Sequence, residues 1–130
     1  MGGYSIINGY RVLRQPYIWR PQVEDDVLEY DDDLTLNWSQ SGKTIVMNSS
    51  SDKTITVPDG NASHIGGKFT FKNRGTGRLT IQLGSNDYAD DSSQGGTIFT
   101  DDNEIASLTL KLIDATHWKF EAGNGAWETS

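Results

Sequence analysis

From Leu34 to Glu121 apolar and polar residues alternate almost one for one. A period of two marks strands with one buried and one wet face. Leu34-Thr35-Leu36-Asn37-Trp38, Lys43-Thr44-Ile45-Val46-Met47, Lys53-Thr54-Ile55-Thr56-Val57 and Phe69-Thr70-Phe71-Lys72 all read this way. So do Arg78-Leu79-Thr80-Ile81-Gln82-Leu83, Thr97-Ile98-Phe99-Thr100, residues 107–113 and His117-Trp118-Lys119-Phe120-Glu121. Turn residues separate them: Ser41-Gly42, the polar run 48–52, and Pro58-Asp59-Gly60. Asn73-Arg74-Gly75-Thr76-Gly77 joins two runs as a predicted hairpin, and Gly84 to Gly96 is a long polar loop. About eight short strands with turns at intervals of roughly ten residues predict an all-β fold, a single β-sandwich or jelly-roll-like small barrel over residues 34–130. No segment supports a helix of useful length.

Composition narrows the class. The chain has 130 residues, enough for one domain, with 35% hydrophobic residues and a formal charge of −7. Such a core is thin, and burying more surface between subunits is the common remedy, so self-association is expected. The absence of Cys excludes disulfide scaffolds, thiolate metal sites and Cys nucleophiles. Apolar stretches run to only two or three residues, too short for a membrane span or a secretory h-region. A soluble protein made in a cytoplasm is expected, with no membrane partner. An acidic body also argues against nucleic acid, whose phosphates demand a basic stripe.

Charge is unevenly placed. Arg11, Arg14 and Arg20 face no acid in residues 1–20, whereas Glu24, Asp25, Asp26, Glu29, Asp31, Asp32 and Asp33 face no base in residues 21–33. Residues 1–33 therefore form a separate unit, an extended N-terminal arm followed by an acidic segment. A run of like charges is ordinarily a solvated spacer, or else a surface for a basic partner. The arm itself mixes Tyr10, Arg11, Leu13, Arg14, Tyr17, Ile18, Trp19 and Arg20, with Pro16 and Pro21 favouring an extended path. Aromatics and Arg are the residues enriched at protein–protein hot spots, so these eight are the candidate partner-binding residues. The alternative is an edge strand folded back on its own domain.

Catalytic signals are weak. His64 and His117 lack the carboxylate and hydroxyl spacing of a triad, and no helix follows Gly75-Thr76-Gly77 to cradle a phosphate. Asp90-Asp91 and Asp101-Asp102 read as solvated loop acids, without the order of a Ca²⁺ loop. No enzyme activity, no metal and no cofactor is expected. Trp38 and Trp118 fall in alternating strands and read as core, while Tyr88 and Trp127 are candidate stacking residues for a glycan.

From Ser41 to Trp127 the order of elements resembles a β-module of bacteriophage virion proteins. The resemblance lies in Ser41-Gly42-Lys43-Thr44-Ile45, then Lys53-Thr54-Ile55-Thr56-Val57-Pro58, then the run Phe71-Lys72-Asn73-Arg74-Gly75-Thr76-Gly77-Arg78-Leu79-Thr80-Ile81, then Gly96-Thr97-Ile98 and His117-Trp118. Val57 stands where that module usually has Leu before Pro, and Lys72 precedes Asn73, both mild departures. Such modules occur in tail fibres, fibre tips and capsid-surface proteins, so the resemblance implies a virion location. A chain of this length leaves no room for a long fibre shaft. The expectation is a capsid decoration or cement protein, a homotrimer made in the host bacterial cytoplasm. It would dock through its arm on the major capsid protein or another virion protein. The alternative is a short tail-fibre, fibre-tip or tail adaptor protein with a glycan- or receptor-binding face.

Overall fold

The computed structural model describes residues 26–130. The arm residues Tyr10, Arg11, Leu13, Arg14, Tyr17, Ile18, Trp19 and Arg20 lie outside them. The described chain is all-β, as the alternation predicts. Its strands are β1 (Val27–Tyr30), β2 (Leu34–Thr35), β3 (Thr44–Met47), β4 (Lys53–Thr56), β5 (Lys68–Asn73), β6 (Leu79–Gln82), β7 (Tyr88–Ala89), β8 (Thr97–Thr100), β9 (Ala106–Leu112), β10 (His117–Asn124) and β11 (Trp127–Thr129). Eleven strands replace the expected eight because β1, β7 and β11 are too short, or too charged, to show a period.

They form two packed sheets, of order β1-β3-β5-β9-β10-β7 and β11-β8-β6-β4-β2. The first six strands pass alternately from one sheet to the other, and every pairing among them is parallel. They make a coil of three rungs: β1 with β2, β3 with β4, β5 with β6. Register stacks equivalent residues, so Leu28, Ile45 and Phe71 align in one inward ladder and Leu34, Ile55 and Ile81 in the other. The last five strands then cap the third rung, β9 lying antiparallel on β5 and β8 antiparallel on β6.

The predicted hairpin across Asn73–Gly77 is therefore corrected: β5 and β6 lie in different sheets. Five turn residues carry the chain over the edge of the sandwich instead of reversing it within one sheet. Buried Asn73 fixes that corner, its amide donating to the carbonyls of Gly77 and Glu104 and to the Thr100 hydroxyl at 3.0–3.2 Å. Gly77 sits so close to the rung below that a Cβ would stand 2.0 Å from the Ser51 carbonyl oxygen, which is why glycine is required there.

Two further readings change. Trp38 ends no strand; Asn37 caps a single 3-10 turn over Trp38–Gln40, reciprocated by Gln40. The acidic segment is not wholly a spacer, since Val27–Tyr30 is paired with β3. Alternation was invisible there because Glu29 and the flanking acids mask two inward residues, Leu28 and Tyr30, that pack on the core.

Between the sheets Ile45, Phe69, Phe71, Leu110 and Trp118 meet Ile55, Leu79, Ile81 and Ile98, all fully buried. Each such side chain stabilises the fold by about 1.5–3 kcal/mol over leaving it wet. At one end His64, Trp38 and Trp118 stack in file at 4.6 and 5.5 Å. Beneath them, buried Asp87 accepts from the Trp118 indole N–H and the Gly60 amide, tying its own loop and that of Gly60 to β10.

Candidate functional site

Two surfaces carry chemistry beyond packing. The first is a groove of about 350 Å³ along the C-terminal half of β10. A bulge between Phe120 and Ala122 shifts the pairing of β10 on β9. Beyond it Gly123 and Gly125 remove side chains from the floor, Gly125 at a φ of +83° that glycine takes without strain. Phe120 and Trp127, both half-buried, wall this floor, with Glu121 and Asn124 supplying a carboxylate and an amide.

Trp127 is held by its edge. Its indole N–H donates to the Ser107 and Asn124 carbonyls at 2.9 and 3.1 Å, so the ring plane is fixed. A fixed aromatic face beside a carboxylate and an amide is the arrangement that stacks on a sugar ring while hydrogen-bonding its hydroxyls.

Tyr88 belongs elsewhere. It pairs in register with His117 at the start of β10, seven residues before Asn124, or about 23 Å along the strand. Its ring stacks on His117 at 4.5 Å, and the His117 Nε2 lies 3.2 Å from Asp90 Oδ1. Asp90, at a φ of +32°, is held there by accepting the Phe120 amide on its other oxygen. The two expected stacking residues thus do not share a platform. In the same loop as Asp90 the Ser92 hydroxyl donates to the Ser93 carbonyl and accepts the Ala89 amide. Among the described residues no three metal-ligating side chains converge, Asp90-Asp91 and Asp101-Asp102 included.

The second surface is the outer face of the six-stranded sheet. Register places Lys68, Lys111 and Lys119 side by side on β5, β9 and β10. The next row is Thr44, Thr70 and Thr109, with the last two hydroxyls hydrogen-bonded at 2.9 Å. Lys72 and Arg74 follow on β5 and its end. Five bases therefore share this face with Glu29 and Glu121. Glu121 lies 3.8 Å from Lys68, and Glu29 lies 3.8 Å from Arg74. Among the described residues no carboxylate pairs with Lys111 or Lys119. The other sheet presents Thr35, Thr54, Thr56, Thr80, Gln82, Thr97, Phe99 and Glu128 outward, with the Arg78 guanidinium over the Phe99 ring.

Phe120 and the lysine row were not singled out from the sequence. Phe120 read as one more strand residue, since the bulge that turns it into the groove has no period of its own. The row joins residues 43 and 8 positions apart, and only its members' place at polar positions of alternating runs signals it.

No protein-family model, no curated protein and no solved structure matches the chain.

Proposed function

We propose that the chain is a structural protein of a bacteriophage virion, a capsid decoration protein that docks through its N-terminal arm. The observation that carries this reading is where the resembling motif falls. Phe71 to Ile81 forms the third rung and its corner, with Asn73 as the buried clasp and Gly77 against Ser51. The motif is thus spent on holding rungs together rather than on chemistry, which suits a module whose task is architecture.

The body would act as a cap, and the arm, Tyr10, Arg11, Leu13, Arg14, Tyr17, Ile18, Trp19 and Arg20, as the grip on the major capsid protein or a neighbouring virion protein. Each docked copy adds interface to the assembled shell and stabilises it by mass action. A standard interface of roughly 1,600 Å² per arm, repeated over the shell, makes even a weak contact count. Deleting residues 1–20 is expected to leave a folded β domain that no longer binds shells, read by co-sedimentation. Truncated protein that decorates shells as well as the full chain would sink the arm assignment.

A second reading, a short tail-fibre, fibre-tip or tail adaptor protein with a glycan-binding face, is favoured by the groove of Phe120 and Trp127. For it, Trp127→Ala abolishes binding to host-surface polysaccharide while shell or tail assembly persists.

A further inference from the structure

Five of the sixteen described acids, Asp26, Glu29, Asp31, Asp32 and Asp33, cluster at one edge of the molecule. Asp26, Asp31, Asp32 and Asp33 surround β1 and the corner into β2, where all four are exposed. From Glu24 to Asp33 the sequence has no base, and the described bases nearby are Lys43, 3.9 Å from Asp26, Lys53, 3.1 Å from Asp32, and Arg74, 3.8 Å from Glu29, which leaves Asp31 and Asp33 without an ion pair among the described residues. On the same sheet Lys68, Lys111 and Lys119 stand in register on neighbouring strands whose backbones are about 5 Å apart. Like charges directly opposite one another on a sheet destabilise it. Glu121 offsets only Lys68.

The two patches cannot neutralise each other within one chain. β9 and β10 lie three and four strands from β1, about 14 and 19 Å away, beyond the Debye length of about 10 Å at 0.1 M salt. Between chains they can. We infer that the acidic edge at β1 and β2 of one copy seats on the lysine row of a second copy, joining subunits head to tail. Because the two patches differ, the contact is heterologous and closes into a ring when its rotation permits. The inference deepens the self-association expected from the thin core and stands whatever the protein's place in a virion.

The test is the solution mass of the full chain by light scattering, with charge-reversal variants. The parent is expected to associate at low salt and to weaken about tenfold or more on raising salt to about 0.5 M. Lys111→Glu with Lys119→Glu, and separately Asp26→Lys with Asp31→Lys, should each be monomeric, with the parent's circular dichroism. Their equimolar mixture should recover association in alternating order, since every contact between unlike variants then joins opposite charges. Combining all four substitutions should restore association. A parent that remains monomeric at about 1 mM overturns both the interface and the self-association. A salt-insensitive oligomer unchanged by both double variants overturns this interface alone and leaves self-association standing. If both variants unfold, single substitutions Lys119→Glu and Asp31→Lys are mixed instead, and failure of that mixture to gain mass over its parts counts against the interface.

Discussion

The coil of β1–β6 pairs in parallel throughout, whereas the cap of β7–β11 pairs antiparallel except where β7 lies parallel to β10. In the coil, parallel register repeats a residue type from rung to rung, Leu28 to Ile45 to Phe71 within and Thr44 to Thr70 without. Each rung buries the inner face of its neighbour, and the stack ends on an edge that no described strand covers. In the cap, β8 to β11 close over the last rung in antiparallel pairs, β7 adds a parallel pair on β10, and polar clasps do more of the joining: Asn73 to Thr100, Thr100 to the Leu79 amide, Asp87 to Trp118. A repeating stack is stabilised mainly by neighbours, whereas a cap is stabilised by particular contacts.

The comparison breaks first if the halves unfold separately. Phe71→Ala in the coil and Trp118→Ala in the cap each remove a fully buried ring and should lower unfolding free energy by about 3–5 kcal/mol. Urea transitions followed by fluorescence and by circular dichroism should coincide for both variants; a residual coil transition after Trp118→Ala would mean that the cap is a separate unit. Next comes the clasp between halves. Asn73→Ala strands the acceptors at Gly77, Thr100 and Glu104 and should cost about 2–3 kcal/mol, a value well under 1 showing that water replaces the amide.

Within the coil, position should matter more than residue size. Ile45→Ala, in the middle rung, should cost about 2–4 kcal/mol, and Leu28→Ala, half-buried in the end rung, about 1. Equal costs would show that β1 is as firmly packed as β3. Amide exchange should rank β1 and β2 as the fastest-opening strands and β5 and β9 as the slowest.

The smallest effect is electrostatic, with one carboxylate in each half. In the cap turn, amides of Thr116 and His117 hold the Asp114 carboxyl below its usual range. At the coil edge the Asp33 amide and then Lys53 do the same for Asp32. A depressed folded-state pKa adds stability that is full above the unfolded value, near pH 4, and is lost as pH falls through the folded one. Asp114→Asn and Asp32→Asn should therefore each flatten the acid limb of the melting temperature against pH while leaving the neutral plateau nearly unchanged. An unchanged acid limb would assign that limb to other carboxylates.

Of the candidate groove, Trp127 was legible because it is an aromatic that follows Asn, Gly and Ala outside every alternating run of the sequence, although it begins β11. Phe120 was not, because a bulge is a misfit between two strands and exists only once they pair. Tyr88 was legible as an aromatic in a polar loop, but its stacking on His117 depends on β7 meeting β10 across 29 residues of chain.

The alternation of side chains settled on its own that this protein is built of strands, and which residues of each strand turn inward, because a pleated backbone places successive side chains on opposite faces whatever its neighbours are. Which strand lies beside which was decided only in three dimensions. Parallel and antiparallel partners present the same period, so the Asn73–Gly77 turn reads as a hairpin until Asn73 finds Thr100 and Gly77 meets Ser51. The same pairing gathered three scattered lysines into one row and carried it to the opposite side of the sheet from the acids.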